Sequence, residues 1–134
     1  MKQAINLQTL KTQLPNIRSE VQAAIAAYIH RVATENTNEV LSITLYGSQA
    51  RGEAGPKSDI DLFIVIRHDI QALRQALMGL AWQVQFEYDM VISDIIRTSA
   101  QLSQMRERQF PFYQNLEREG ILLWQNTSEL MPAL

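Results

Sequence analysis

The sequence predicts an α/β (α+β) fold, a small mixed sheet flanked by helices. Apolar residues recur at helical spacing over residues 19–34, which predicts an amphipathic helix. Two later stretches are typical of strands: Val40 to Tyr46 is rich in β-forming residues, and Ile60 to Ile66 is apolar apart from Asp61. The second of these strands is predicted to be central in the sheet, because an almost continuous apolar run suits a strand buried on both faces.

The elements between and after these strands complete the domain. Asp69 is predicted to cap a second helix, and the alternation of apolar and polar residues from Val84 to Met90 predicts a third strand. Thr98 and Gln101 have the spacing of a capping box at the start of a third helical region, which Pro111 should interrupt. Residues 121–124 are expected to form a last short strand.

Length and composition fit one domain, 1–134, that is soluble and has a single core. Of the 134 residues, 46% are hydrophobic and 19% charged, which is ordinary for a globular protein. The polar end, residues 125–134, is expected to be a disordered tail. Met1 to Gln13 lacks the basic and then apolar pattern of a secretory leader.

Several classes of function are disfavoured by the same composition. The chain has no cysteine, and its two histidines, His30 and His68, lack metal-ligand spacing, so neither disulfides nor a structural zinc site are expected. The formal net charge is -2 and no segment is strongly basic, so direct nucleic-acid binding is not indicated. No apolar run approaches the ~20 residues that a membrane span needs. A cytoplasmic protein without membrane contact is expected.

The segment from residue 45 to residue 66 carries the chemistry. Gly47 follows a strand and lets the backbone approach a ligand, and Ser48 adds a hydroxyl and an N–H group suited to phosphate oxygens. Asp59 and Asp61 are two residues apart, so both carboxylates point to one face of the strand. At ~5 Å they would repel by roughly 3 kcal/mol at an effective dielectric constant of about 20. Magnesium would remove this repulsion, because it prefers carboxylate and phosphate oxygens.

Asp89 is the third candidate carboxylate. In the predicted strand from Val84 to Met90 it faces away from the apolar side chains, and it approaches Asp59 and Asp61 if the two strands pair. There it would complete a metal site or act as a general base toward an attacking hydroxyl.

Taken together, these residues resemble a known family. Gly47-Ser48, ten intervening residues and Asp59-x-Asp61 are similar to the signature of the DNA polymerase β-like nucleotidyltransferase superfamily. The string Gly-Ser-Gln-Ala-Arg-Gly and the short chain resemble the minimal nucleotidyltransferases (MNT), which are typically the antitoxins of HEPN/MNT toxin–antitoxin pairs. The resemblance covers about residues 18 to 124.

The resemblance implies a role for each matching residue. Gly47 and Ser48 would contact the triphosphate of ATP, while Asp59, Asp61 and Asp89 would be catalytic and would bind two Mg²⁺ ions. Arg51 also matches the motif, and bracing of the loop is favoured for it over direct phosphate contact.

The implied function is that of an antitoxin. The chain would transfer AMP from ATP to a tyrosine hydroxyl of a partner HEPN ribonuclease toxin and so neutralise the toxin. Two alternatives stay open: a non-catalytic antitoxin that acts by binding, and a small-molecule (antibiotic) nucleotidyltransferase. The latter enzymes generally carry an additional helical domain. For contact alone, Phe110, Phe112 and Tyr113 would serve if exposed, although core positions are the favoured interpretation.

Overall fold

The computed structural model describes residues 12, 14, 16–35 and 38–126. Within these ranges, helices and strands follow one another in the order α1 (Ser19–Glu35), β1 (Val40–Tyr46), α2 (Gly47–Arg51), β2 (Ile60–Ile66), α3 (Gln71–Tyr88), β3 (Ile92–Thr98), α4 (Ser99–Glu107), α5 (Pro111–Glu119) and β4 (Ile121–Gln125). The predicted α/β class, with a small mixed sheet flanked by helices, is confirmed.

The four strands form one sheet in the order β3-β2-β1-β4. β1 runs antiparallel to β2 and to β4, whereas β2 and β3 are parallel and are joined by the α3 crossover. β2 is therefore an inner strand, as its apolar run predicts, and Leu62, Ile64 and Ile66 are fully buried.

The two faces of the sheet pack against different helices because side chains alternate along each strand. The even-numbered residues of β2 join α1 and α3 in the large core. On the opposite face, Phe63 and Val65 form a smaller cluster with Leu102 of α4, and residues of α5 pack over it. Asp61 is two residues before Phe63 in the strand, so it lies on this same second face, at the end of the sheet where β2 begins.

The third strand lies later in the chain than predicted, and the prediction of a strand at 84–90 is wrong. Val84 to Tyr88 form the last turns of α3, and β3 begins only at Ile92. The helix continues because its inner positions are buried at helical spacing against the sheet, namely Leu73, Leu77, Leu80, Ala81 and Val84. Phe86, which seemed to alternate inward, is 88% exposed.

The predicted helix starts differ in outcome. Thr98 and Gln101 form the predicted capping box, in which each side chain accepts a hydrogen bond from the other residue's backbone N–H. Asp69 does not cap α3, because Ile70 is the residue that precedes its first turn, and it does so without a side-chain hydrogen bond. Asp69 instead forms an ion pair with Arg74 at 2.6 Å.

Two residues of the predicted tail belong to the folded domain. Gln125 ends β4, and Asn126 is 2% exposed, with its backbone N–H donating to the Leu41 carbonyl at 2.9 Å. The pairing of β4 with β1 thus orders the chain to residue 126. The remainder of the predicted tail, 127–134, and most of the segment predicted to carry no leader, 1–11, lie outside the described residues. Within the described ranges, no helix combines the length and apolar character that crossing a bilayer requires.

Candidate active site

The turn from β1 into α2 brings the backbone directly against a carboxylate. Tyr46, the last residue of β1, pairs with Asp61, and Gly47 follows with a φ angle of +74°. A Cβ atom at Gly47 would overlap Asp61 Oδ2, so any larger residue would require the carboxylate to move. Glycine is needed here for both the left-handed backbone and the close approach. The predicted neighbours Gly47 and Asp61 therefore do lie side by side, with Ser48 next in the chain.

Asp59 and Asp61 form the charged part of the site. Asp59 is exposed just before β2, and Asp61 is half-buried within it. Burial raises the pKa of the Asp61 carboxyl, the negative charge of Asp59 raises it further, and the Arg51 guanidinium lowers it. The repulsion that the Asp-x-Asp spacing predicts is thus present in the folded chain.

This pair fits a magnesium ion that is shared with a bound nucleotide. Mg²⁺ is usually held by one or two carboxylates, with phosphate oxygens and water completing its coordination. Within the ranges that the structure describes, no three His, Cys, Asp or Glu side chains are grouped to hold a metal. Asp59 and Asp61 would accordingly hold the ion together with substrate phosphates.

Asp89 is not brought to the other two carboxylates, and its predicted position on a neighbouring strand is wrong. It lies exposed at the end of α3, with a left-handed backbone (φ 53°) and its N–H donating to the Gln85 carbonyl. It lines a cavity together with Trp82 and with Lys57 and Ser58, the two residues that precede Asp59. In β3 the residue paired with Asp61 is Ser93.

The carboxylate that β3 does carry is Asp94, which sequence reasoning did not single out. Asp94 pairs with Leu62, the residue that follows Asp61. It lies on the same face of β3 as Ile92 and Ile96, which belong to the large core. Burial raises its pKa, and its Oδ2 has no hydrogen-bond partner among the described residues. An aspartate between isoleucines, in a run that follows a helix, was the signal available in the sequence.

Arg51 is held by two acidic side chains. Its Nε donates to Glu53 at 2.7 Å and its Nη1 to Glu119 at 3.3 Å, which links α2 to the end of α5. These contacts agree with the predicted bracing role, while its charge still reaches Asp61.

An aromatic group closes one side of the site. The Phe112 ring of α5 meets the Tyr46 ring edge-on at 5.4 Å and the Phe63 ring at 5.8 Å. Burial, together with the charges of Asp61 and Asp94, raises the pKa of Tyr46 to about 12. Phe112 and Tyr113 therefore pack over the sheet, in line with the favoured core interpretation, whereas that interpretation is wrong for Phe110, which is 41% exposed.

Three large exposed apolar side chains lie on α3. Met78, Trp82 and Phe86 are four residues apart and are 53%, 69% and 88% exposed. Residues at this spacing share one face of a helix, so they form a continuous α3 stripe. Sequence reasoning missed this stripe because it assigned Phe86 to a strand.

Comparisons with known proteins agree with this geometry. Residues 28–129 match the protein family described as Polymerase beta, Nucleotidyltransferase. A protein of Methanocaldococcus jannaschii that is named for protein adenylyltransferase activity is 25% identical over 103 residues, which are 77% of this chain and 97% of that protein.

Two crystal structures of toxin–antitoxin complexes have a similar fold. One is a complex with AMP-PNP, with a TM-score of 0.50 and 19% identity, covering 75% of this chain and 73% of that chain. The other is a mutant of the MntA–HpeT pair, with a TM-score of 0.50 and 19% identity, covering 74% and 71%. Since the family match spans more than half of the sequence and includes every residue of the glycine–aspartate site, this chain belongs to the polymerase β nucleotidyltransferase family and is a transferase.

Proposed function

We propose that this chain is an antitoxin that transfers AMP from ATP to a tyrosine hydroxyl of a HEPN ribonuclease toxin and thereby neutralises it. The observation that carries the proposal is the packing of Gly47 against Asp61 beside Asp59. This arrangement joins a phosphate-binding turn to a cation-binding pair. A relative named for protein adenylyltransferase activity and the fold shared with toxin–antitoxin proteins support the choice of acceptor.

The proposed reaction is an in-line displacement at the α-phosphate. The tyrosine oxygen forms a bond to the α-phosphorus, the bond from that phosphorus to the bridging β-phosphate oxygen breaks, and pyrophosphate leaves. The hydroxyl proton passes to solvent water. Gly47 and Ser48 would hold the phosphate oxygens, and Asp59 and Asp61 would hold two Mg²⁺ ions. When bound, these ions supply positive charge to the attacking and leaving oxygens.

A second candidate function is neutralisation by contact alone, and the α3 stripe favours it. Phe86 and Trp82 leave most of their surface in solvent, and aromatic residues together with Met are enriched at protein interfaces. A contiguous apolar patch on a soluble protein commonly marks such a contact. Binding of the toxin through this stripe is compatible with catalysis, so one protein can use both.

Intact-mass measurement of the partner toxin, co-expressed with this chain, tests the proposal. With ATP and Mg²⁺ the partner should gain the mass of AMP, and chelation of the metal should prevent the gain. Asp59→Asn/Asp61→Asn should slow the transfer by at least about 100-fold, because charge stabilisation in the transition state is lost.

Asp69→Asn is the matched control, since Asp69 is an exposed aspartate that forms an ion pair with Arg74 outside the site. It should transfer AMP at the wild-type rate. A toxin that is neutralised by the wild type without any change of mass would favour contact alone. Transfer that persists undiminished in the double variant would refute the assignment of Asp59 and Asp61 to the metal.

A further inference from the structure

A cavity of about 480 Å³ lies between β3, α4 and α5, on the face of the sheet that carries Asp61. Its apolar walls include Ile95, Met105 and Phe112, and its polar side chains include Arg97 and Gln101. This volume is within the range of sites that bind small molecules or single side chains. We call it the β3 cavity.

The β3 cavity adjoins the glycine–aspartate site through two aromatic residues. Phe112 lines the cavity and also contacts the ring of Tyr46, which immediately precedes Gly47. Tyr46 also pairs with Asp61 across β1 and β2 in the sheet. Tyr46 thus lies between the carboxylates and the cavity.

The order of the strands indicates the side of the site from which the attacking hydroxyl approaches. In an in-line displacement the attacking oxygen and the leaving pyrophosphate are on opposite sides of the phosphorus. The phosphate-binding turn follows β1, Asp61 lies in β2 with Asp59 just before it, and β3 lies on the other side of β2. With pyrophosphate toward Ser48, the attacking hydroxyl comes from the direction of β3. From this arrangement, which rests on the proposed function, we infer that the β3 cavity receives the acceptor tyrosine and its neighbouring backbone.

The polar groups of the cavity fit such a segment. Gln101 Oε1 accepts a hydrogen bond from the Thr98 N–H at 2.9 Å, so the capping box leaves the Gln101 amide nitrogen as a donor. Arg97 Nη1 donates to the Ile96 carbonyl at 2.8 Å, which fixes the guanidinium beside the same wall. Both polar side chains therefore offer donors next to aromatic and thioether surface. A phenol ring flanked by peptide carbonyl oxygens, or by a carboxylate, complements them.

Binding of a tyrosine analogue to the full chain tests the inference without catalysis. N-acetyl-tyrosinamide should produce saturable shifts of the Met105 and Ile95 methyl signals in ¹³C NMR spectra, whereas N-acetyl-alaninamide should not. ATP with Mg²⁺ alone should leave both signals in place. Saturable shifts of these methyl groups by ATP would assign the cavity to the nucleotide and overturn the inference. The absence of any shift with the tyrosine analogue, up to its solubility limit, would overturn it as well.

A cavity-filling variant tests the inference in the reaction. Gln104 is an exposed residue of α4 that lines the cavity, so Gln104→Trp should fill it without disturbing the core. Transfer of AMP to the partner should fall at least about tenfold, because a displaced acceptor loses its orientation. The dissociation constant of ATP should stay unchanged. His30→Trp, at an exposed position of α1, is the matched control and should transfer normally.

The outcomes separate this inference from the proposed function. A parallel loss of ATP affinity in Gln104→Trp, or unchanged transfer, would refute the cavity assignment. A wild-type protein that neither binds ATP nor modifies its partner would instead refute the proposed function, and the methyl shifts would still report on the cavity.

Discussion

The starts of β2 and β3 lie side by side in the sheet, and two aspartates lie in or just before each strand. At β2, Asp59 and Asp61 are two residues apart, and the Gly47 backbone packs against the second carboxylate. Near β3, Asp89 lies at the end of the preceding helix, and Asp94 lies on the same face of the strand as the core residues Ile92 and Ile96. Similar numbers of acidic residues thus give different arrangements, because only in the first pair does one charge act on the other carboxylate beside a close backbone turn.

The electrostatics of Asp61 and Asp94 show the same difference. Burial is the largest cause of a raised pKa at both carboxyl groups. For Asp61 the other causes are two charged neighbours, Asp59 and Arg51, whereas for Asp94 the opposing cause is a hydrogen bond from its own backbone. Asp61 therefore belongs to a charged cluster that a cation would stabilise, whereas no charged neighbour contributes to the raised pKa of Asp94, although the charge of Asp94 reaches Tyr46 beside that cluster.

The largest effect should follow from Gly47→Ala, which acts on the contact that distinguishes the start of β2. The new Cβ would displace the Asp61 carboxylate, and a misplacement of ~1 Å can lower a reaction rate about 100-fold. AMP transfer to the partner should fall by about that factor. The left-handed backbone should also cost about 1 kcal/mol of stability, measured by urea denaturation.

Gly52→Ala separates the two causes. Gly52 has the same φ of +74°, but a Cβ there would meet nothing within 4 Å. It should lose comparable stability and keep its transfer rate. Equal losses of transfer in both alanine variants would show that backbone strain matters, rather than the position of Asp61.

The sequence predicted β1 and β2 with the bounds that the structure shows, and it predicted Gly47 beside Asp61. Both strands have strong local signals, namely runs of β-forming or apolar residues and, at the end of β1, a glycine at the turn. The prediction of a strand at residues 84–90, in contrast, was wrong. There, alternation coincided with a helix whose burial against the sheet decided its conformation. Such tertiary packing is not visible in a short sequence window.

The wrong strand assignment in this region also gave a wrong position for the third carboxylate. Because Val84 to Tyr88 are helical, Asp89 does not have the strand position on which its predicted role depended. Asp94 could not be recognised in its place, because its partner in β2 is fixed by the parallel register, which the sequence did not reveal.

A smaller effect is expected from Asp94→Asn, on stability and its dependence on pH. Because the folded pKa of Asp94 is raised, ionisation destabilises the folded state. The cost is absent at a pH below the ordinary carboxyl value, grows as pH rises through the raised folded pKa, and is complete above it. At pH 7 the variant should be more stable by about 1 kcal/mol, the low end of the cost of an unpaired buried group, because part of Asp94 reaches solvent.

Urea denaturation of both proteins between pH 3 and pH 7 measures this difference. The two stability curves should converge at the acid end of the range and separate as the pH rises. Curves that stay parallel would mean that Asp94 is not the group responsible. A loss of AMP transfer of about 100-fold in Asp94→Asn would move this residue into the reacting group and remove the contrast between β2 and β3.

The smallest effect is expected at Asp89. Its φ of 53° is unfavourable for a residue with a Cβ atom, whereas glycine adopts it without steric cost. Asp89→Gly should therefore raise the free energy of unfolding by about 0.5 kcal/mol. Asp89→Asn retains a residue that tolerates this conformation while removing the charge, and its stability should match that of the wild type. Both variants should transfer AMP within about twofold of the wild-type rate, because among the described residues Asp89 is not grouped with Asp59 and Asp61 to hold a metal. If Asp89→Asn alone abolished transfer while its stability stayed unchanged, the charge of Asp89 would be required in the reaction, and the chain after α3 would have to rearrange when nucleotide binds.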